Sequence, residues 1–475
     1  MPVTSLYYIL FVAAAAGLIH AGGRILRTDG ARIAFSKGVL IAASFIFAAW
    51  ADVRYAAVLA ILCLTTWFCA RSKRLCAAGI VIAIAVLAYF KYAGFFAASF
   101  ARIFGSENTL RVILPVGISF YTFSAIAYLA DIRRGKETPR PLWDVTLLLS
   151  YFPKLTCGPI QKIGDLLSQF AKPLSITAAG LCAGAQIFAF GMFKKVVLAD
   201  RLAVFANEVF AAPAMFDSPT VFLGMIAYAL QIYFDFSGYS DMAIGSAQAM
   251  GIHLPRNFNL PYCARNATEL WKRWHITLSS WLQEYIYIPL GGSRRGKART
   301  YINLILTMLI GGLWHGAQAH FLIWGLWHGL GLAAHKVWAA RTNSANRPHS
   351  RAGDAASTVV TFLFTCIGWV FFRAESMADA LRFLGQMLLF KPGLSHPHIW
   401  TAAALIILII ATLFAAHRSR GAIRKPGKMH FSAIEGYYPQ LDLTNFRHLT
   451  LFFIFCGLIL GLAFTGASPF IYGAF

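Results

Sequence analysis

The succession of apolar runs sets the terms on which this chain can fold. They lie near residues 5–21, 38–51, 55–70, 75–100, 112–130, 178–199, 219–250, 301–338, 357–373, 399–416 and 447–465. A membrane-crossing helix takes about 20 apolar residues. The runs therefore predict an all-α, polytopic membrane protein with roughly eleven to thirteen membrane segments by that length rule. The shorter runs must tilt, re-enter or borrow flanking residues, and a central polar tunnel is expected among them. Composition agrees: 58% of the 475 residues are hydrophobic and 13% are charged, against about a quarter charged in a soluble domain. Two soluble-looking linkers, near 339–355 and 417–446, are too short to be domains. No internal repeat is visible. Residues 1–475 read as one membrane domain whose informative motifs lie in 112–335.

The charge balance is strongly basic, with 42 Lys and Arg against 19 Asp and Glu and a net charge of +23. These residues gather in short loops, at 24–37, 71–74, 133–136, 294–299, 336–351 and 418–428, whereas the connections near Asp52 and Glu107 are less basic. That is the positive-inside pattern and not a nucleic-acid surface. It puts the basic loops in the cytoplasm and the N-terminus on the other side. The same loops would attract anionic lipid headgroups or an anionic cytoplasmic ligand. The first run has no basic segment before it and is followed by Arg24, Arg27 and Arg32, so it reads as a retained span and not a cleaved signal. The 8 cysteines show no CxxC spacing, which predicts neither a zinc site nor a disulfide framework.

Three polar clusters interrupt the apolar background. The most informative is Gly311-Gly-Leu-Trp314-His315-Gly316, an imidazole between glycines inside the 301–338 run. A titratable side chain at bilayer depth is costly and marks a pathway or a reaction centre, and the flanking glycines allow close backbone approach. They also predict a break that divides the run in two. His320, His328 and His335 follow as secondary polar contacts, and no metal-ligand spacing joins them to His315. In the second cluster, Tyr233-Phe-Asp235-Phe-Ser-Gly238-Tyr-Ser-Asp241, the carboxylates either line a cavity or brace helices against Lys or Arg. Gly238 and its serines predict a kink there. In the third, Trp271, Trp274, Leu278 and Trp281 fall at helical spacing among Lys272, Arg273 and Glu284. This predicts an interfacial or re-entrant amphipathic helix, with His275 at its headgroup face.

No nucleophile elbow, phosphate-binding loop, dinucleotide fingerprint or HExxH motif is present. One intramembrane imidazole suits proton transfer from a hydroxyl that attacks an acyl thioester. The alternative is a transporter of an acyl donor or lipid-linked sugar, in which Asp235, Asp241 and His315 couple or gate transport. A scaffold for a polysaccharide synthase is a third reading.

The stretches Leu114-Pro-Val-Gly-Ile-Ser-Phe-Tyr-Thr-Phe123, Tyr151-Phe-Pro-Lys-Leu-Thr-Cys-Gly-Pro-Ile160, Phe234–Gly245, Pro255–Tyr262, Trp271–Trp281, Tyr287–Gly292, Gly311–Gly316 and Pro469–Tyr472 together resemble the membrane-bound O-acyltransferase (MBOAT) family. The likeness is strongest to its bacterial branch of glycan O-acetylation proteins. The resemblance implies that His315 is the principal catalytic histidine and His275 the second. It implies that Asp235 and Asp241 line the polar interior, with Arg273 and Trp314 as further lining candidates. It implies acetyl-CoA as acyl donor, no permanently bound cofactor and no metal. The expected setting is the bacterial inner membrane with a periplasmic N-terminus, beside a periplasmic SGNH-type acyltransferase, a polysaccharide biosynthesis complex and lipids. The sequence departs from the family at Cys157, where variation is expected, and the N-terminal quarter matches only in general character.

Overall fold

The structure is a computed structural model that describes residues 1–104, 112–342, 350–423, 441–463 and 471. Glu107, residues 343–349 of the first linker, 424–440 of the second, and the motif residues Pro469, Phe470 and Tyr472 lie outside the described residues. Four helices open the chain: α1 (Leu6–Ile25), α2 (Asp29–Ala49), α3 (Val53–Cys69) and α4 (Lys73–Phe104). Their starts are set locally, because Ser5, Thr28 and Asp52 each accept a first-turn backbone N–H. Next come α5 (Ile118–Arg133) and the short α6 (Leu142–Ser150), α7 (Phe152–Leu155) and α8 (Ile163–Phe170). α9 (Ala178–Met192) passes through a π-helical turn, Phe193–Ala199, into α10 (Asp200–Ala211). The central α11 (Ser218–Ala249) is followed by α12 (Ala267–Arg273), α13 (Ile276–Leu282) and a second π-helical turn, Gln283–Tyr287. α14 (Lys297–His315), α15 (Ala319–Thr342), α16 (Arg351–Arg373), α17 (Met377–Leu388), α18 (Ile399–Ile423) and α19 (Phe446–Leu462) complete the order.

Among the described residues no strand forms, apart from an isolated bridge between Phe216 and Leu394, and seven helices are long and apolar enough to cross a membrane. α3 and α19 are shorter apolar helices, and α14 and α15, from the 301–338 run, do not meet the length and composition rule. That run does divide where its glycines predict, at His315–Gly316.

α11 is the axis of the bundle and is buried on almost every face, as a helix apolar all round must be. The sequence predicts a kink at Gly238, yet the helix runs uninterrupted from Ser218 to Ala249. The glycines serve packing instead. A Cβ on Gly238 would lie 2.7 Å from the Gly191 carbonyl oxygen, and one on Gly184 would lie 2.6 Å from that of Gly245. These two pairs, seven residues apart on each helix, let antiparallel α9 and α11 touch backbone to backbone, as small residues do between membrane helices. A Cβ on Gly312 would likewise collide with the Phe321 carbonyl oxygen, so α14 and α15 form a tight hairpin.

The amphipathic segment also departs from expectation. In place of one helix there are two short ones, α12 and α13, broken at Trp274–His275. The residues 257–259 cause the break. Asn259 N–H donates to the Arg273 carbonyl at 2.9 Å and Ile276 N–H donates to the Asn257 carbonyl at 2.9 Å. Both bonds compete with the helical ladder at the point where it ends.

Candidate active site

His315 is the last residue of α14, and it is buried. Its ring lies against Trp314, Phe372 and Trp324, with centroids 4.5, 4.9 and 5.1 Å away. It is not sealed. Together with Gly316, Lys91, His320, Arg373 and Glu375 it lines a cavity of about 520 Å³.

The residue before it opens on a different space. Trp314 lines a second cavity of about 650 Å³, whose walls include Leu87, Phe123, Trp281 and Leu313 and which reaches Arg133 and Arg134. Phe123 stacks on Trp281 at 4.0 Å and on Trp314 at 5.3 Å. The first cavity includes Leu114, ahead of the start of α5, and the second ends at Arg133, where α5 stops. Sixteen helical residues span about 24 Å at 1.5 Å each. The end of α14 is therefore approached by two cavities set toward opposite ends of α5, where the sequence predicts a single tunnel. The indole of Trp314 lines the second, and the His315 ring packed against it lines the first.

His275 is 1% exposed. It is not the headgroup residue that an amphipathic helix predicts. Its backbone is left-handed, with φ 40° and ψ 57°, a conformation that costs a non-glycine residue about 1–2 kcal/mol and that concentrates at functional sites. Its ring meets Phe236 edge-on at 4.7 Å, and the Trp314 ring lies tilted to it at 6.5 Å. Trp314 thus lies beside both imidazoles, and the two histidines separated by 40 positions in the chain are brought together around it.

The other candidates stand elsewhere. Asp235 pairs with Lys195 at 2.7 Å, Lys195 also holds Asp200 at 2.8 Å, and Asp241 pairs with Lys194. Both lysines come from the π-helical turn Phe193–Ala199. Asp235 further accepts the Ile471 backbone N–H at 2.9 Å, which brings Ile471 against α11. Of the two positions open to these carboxylates, this is the bracing one. Arg273 is held by Glu269 at 2.6 Å and by the Asn259 carbonyl at 3.2 Å, and it does not line the His315 cavity. His320 reaches the Phe371 carbonyl at 3.1 Å, and His335 reaches Thr268 at 2.8 Å. Among the described residues no three His, Cys, Asp or Glu side chains come together as a metal site.

Two residues that the clusters do not reveal complete the centre. Lys91 of α4 donates to the Trp314 carbonyl and lies 4.9 Å over the Trp314 ring. Its neighbour Tyr92 donates its hydroxyl to the Leu313 carbonyl at 2.7 Å. The last carbonyls of a helix have no partner within it, and α4 satisfies these two. The available signal is Lys91 itself, a lysine in the middle of the 75–100 apolar run and subject to the same argument as His315.

At the basic end, Glu284 accepts from Lys136 at 2.8 Å and also from Lys162. Partial burial pushes its carboxyl upward, but these two bonds outweigh that and hold it below the usual carboxylate range.

The profile described as MBOAT, membrane-bound O-acyltransferase family, matches residues 141–378, a span that contains His275 and His315. The chain belongs to the membrane-bound O-acyltransferase family. Among its relatives, a protein named probable alginate O-acetylase from Pseudomonas putida is 38% identical over 408 residues, covering 82% of this chain and 80% of that one. The peptidoglycan O-acetyltransferase of Helicobacter pylori is 36% identical over 417 residues, covering 80% and 79%. The teichoic acid D-alanyltransferase of Bacillus subtilis is more distant, at 26% over 279 residues, covering 56% and 70%. The chain is a multi-pass membrane O-acyltransferase, and the transporter reading is not favoured.

Proposed function

We propose that this O-acyltransferase moves an acetyl group from cytoplasmic acetyl-CoA toward a hydroxyl of an exopolysaccharide or cell-wall glycan, with His315 as general base. The observation that carries the reading is the pair Trp314–His315, consecutive residues on two cavities that approach from opposite ends of α5. The apolar cavity, basic at Arg133 and Arg134, suits a thioester whose phosphates remain at the cytoplasmic mouth. The basic loop at 294–299 adds to that field. The polar cavity at His315 suits the acceptor. The attacking oxygen forms a bond to the acyl carbon and its proton passes to His315. The carbon–sulfur bond then breaks, and the thiolate takes up the proton. His275, beside Trp314, orients the donor or shares the proton.

The setting that fits is the bacterial inner membrane, with the N-terminus in the periplasm and a periplasmic SGNH-type acyltransferase taking the acetyl group to the polymer. Relatives named for alginate and peptidoglycan O-acetylation support a glycan as the final acceptor. The test is ester-linked acetate on surface polymers of cells with and without the chain. Deletion and His315→Ala should each abolish it while the variant still inserts in the membrane. Unchanged acetate in the His315→Ala strain would refute the assignment.

A further inference from the structure

We propose that Lys91 is a catalytic residue of the acyl-transfer centre, the cation that binds the carbonyl oxygen of the acyl group as it becomes negative. The inference rests on the acyl-transfer reading above. An ammonium has three donor positions. One is taken by the Trp314 carbonyl, and among the described residues Lys91 makes no other hydrogen bond or ion pair. Two donors therefore remain on a side chain that lines the same cavity as His315. Arg373, the other cation of that cavity, is differently placed. It is held by Asn207 at 3.1 Å and lies over the Phe210 and Tyr228 rings, so its charge is engaged away from the imidazole.

The position of Lys91 is fixed from both sides. The bond to the Trp314 carbonyl ties it to the residue next to His315, and the Trp314 ring lies under its charge at 4.9 Å. The carbonyl ends of α14 favour a cation there. The lysine is thus held beside the base before any substrate arrives, as electrostatic preorganisation requires. When the acceptor oxygen adds to the acyl carbon, the proton goes to His315 and the carbonyl π electrons move onto oxygen. The free N–H groups of Lys91 then stabilise that oxyanion. Collapse restores the carbonyl, expels the thiolate and leaves Lys91 unchanged.

The test uses the full chain in its host, deleted and complemented in turn with the wild type, His315→Ala, Lys91→Met, Lys91→Gln and Lys91→Arg. The readout is the initial rate of radiolabelled ester acetate deposition on surface polymer, with membrane-inserted protein and detergent-solubilised melting temperature measured alongside. Lys91→Gln is the informative variant because its amide still donates to the Trp314 carbonyl but carries no charge. The expected result is a fall of about a hundredfold for Lys91→Met and Lys91→Gln at normal protein level, the size seen on removing one oxyanion donor, with Lys91→Arg recovering about tenfold of that loss. Lys91→Gln at more than about half the wild-type rate overturns the proposal, and so does Lys91→Arg no faster than Lys91→Gln. Loss in His315→Ala with full activity in the Lys91 variants defeats this assignment alone. Acetate that survives deletion of the whole chain defeats the acyl-transfer reading and this one with it.

Discussion

His275 shows how a local backbone cost and a chemical position coincide. Its left-handed backbone is unfavourable for any side chain, yet the chain keeps an imidazole there, buried against Phe236 and Trp314. The variant His275→Gly separates the two effects. Glycine takes this φ without strain, so the backbone should relax by about 1 kcal/mol while the ring's packing is lost, and the variant should still insert and fold. Deposition of ester acetate should fall about a hundredfold, the scale of one proton-transferring group. Measured melting temperature and acetate rate together decide the matter, because an active His275→Gly variant would show that the bend matters and the ring does not. The sequence made His315 legible, since one imidazole in an apolar run between glycines has few innocuous explanations. It made His275 less so, because tryptophans at helical spacing imply a continuous interfacial helix. The break depends on backbone bonds to residues 257–259, which periodicity does not register. Lys91 is harder still, for its partner Trp314 lies 223 residues away.

At the scale of elements, glycine does the work that large apolar side chains do in a soluble core. Lipid is as apolar as leucine, so helices gain by close approach and not by excluding water, and the α9–α11 contact is built on Gly184, Gly191, Gly238 and Gly245. This is why the helix is not interrupted at Gly238: the glycine that reads as a helix weakness in isolation is filled by the neighbouring backbone. Gly238→Val should force α9 from α11 and lower the melting temperature of the detergent-solubilised protein by the equivalent of about 1–3 kcal/mol, the usual cost of overpacking. A neutral result would mean that the contact is loose. The basic end has a pH-sensitive clamp in Glu284, which joins Lys136 and Lys162. Its carboxyl is held below the usual range, so the clamp is fully formed above the ordinary glutamate value of about 4.3 and is lost as pH falls through the lower folded value. Hydrogen exchange at residues 283–287 should be flat from pH 7 to 5 after correction for intrinsic rates, then lose protection below about 4. Glu284→Gln should show the weakened protection at neutral pH with no step.

Across the whole molecule, the proposed function depends on a partition: a thioester and an acceptor must reach one residue pair without a continuous leak. The all-helical membrane character and the place of the 301–338 break are legible in the sequence, since hydropathy and glycine report directly on both. The partition is not, because it is made by residues from α4, α5, α13, α14, α15 and α16 that meet only when packed. Its consequence is a difference in sidedness. Arg294, in the basic loop before α14, and Glu375, just past the end of α16, are both exposed. If the Trp314 cavity opens to the cytoplasm and the His315 cavity to the periplasm, single cysteines at these positions must label from opposite faces. The background would carry Cys182→Ala and Cys456→Ala, because these two native cysteines are only partly buried whereas the other six are buried. An impermeant maleimide should then mark Glu375→Cys in intact spheroplasts and leave Arg294→Cys untouched, and in inside-out vesicles the pattern should reverse. The basic loops already bias Arg294 inward, so the decisive reading is Glu375. Labelling of both cysteines from one face would place the two cavities on the same side of the membrane, and a relay through Trp314 and His315 would then have no direction to run.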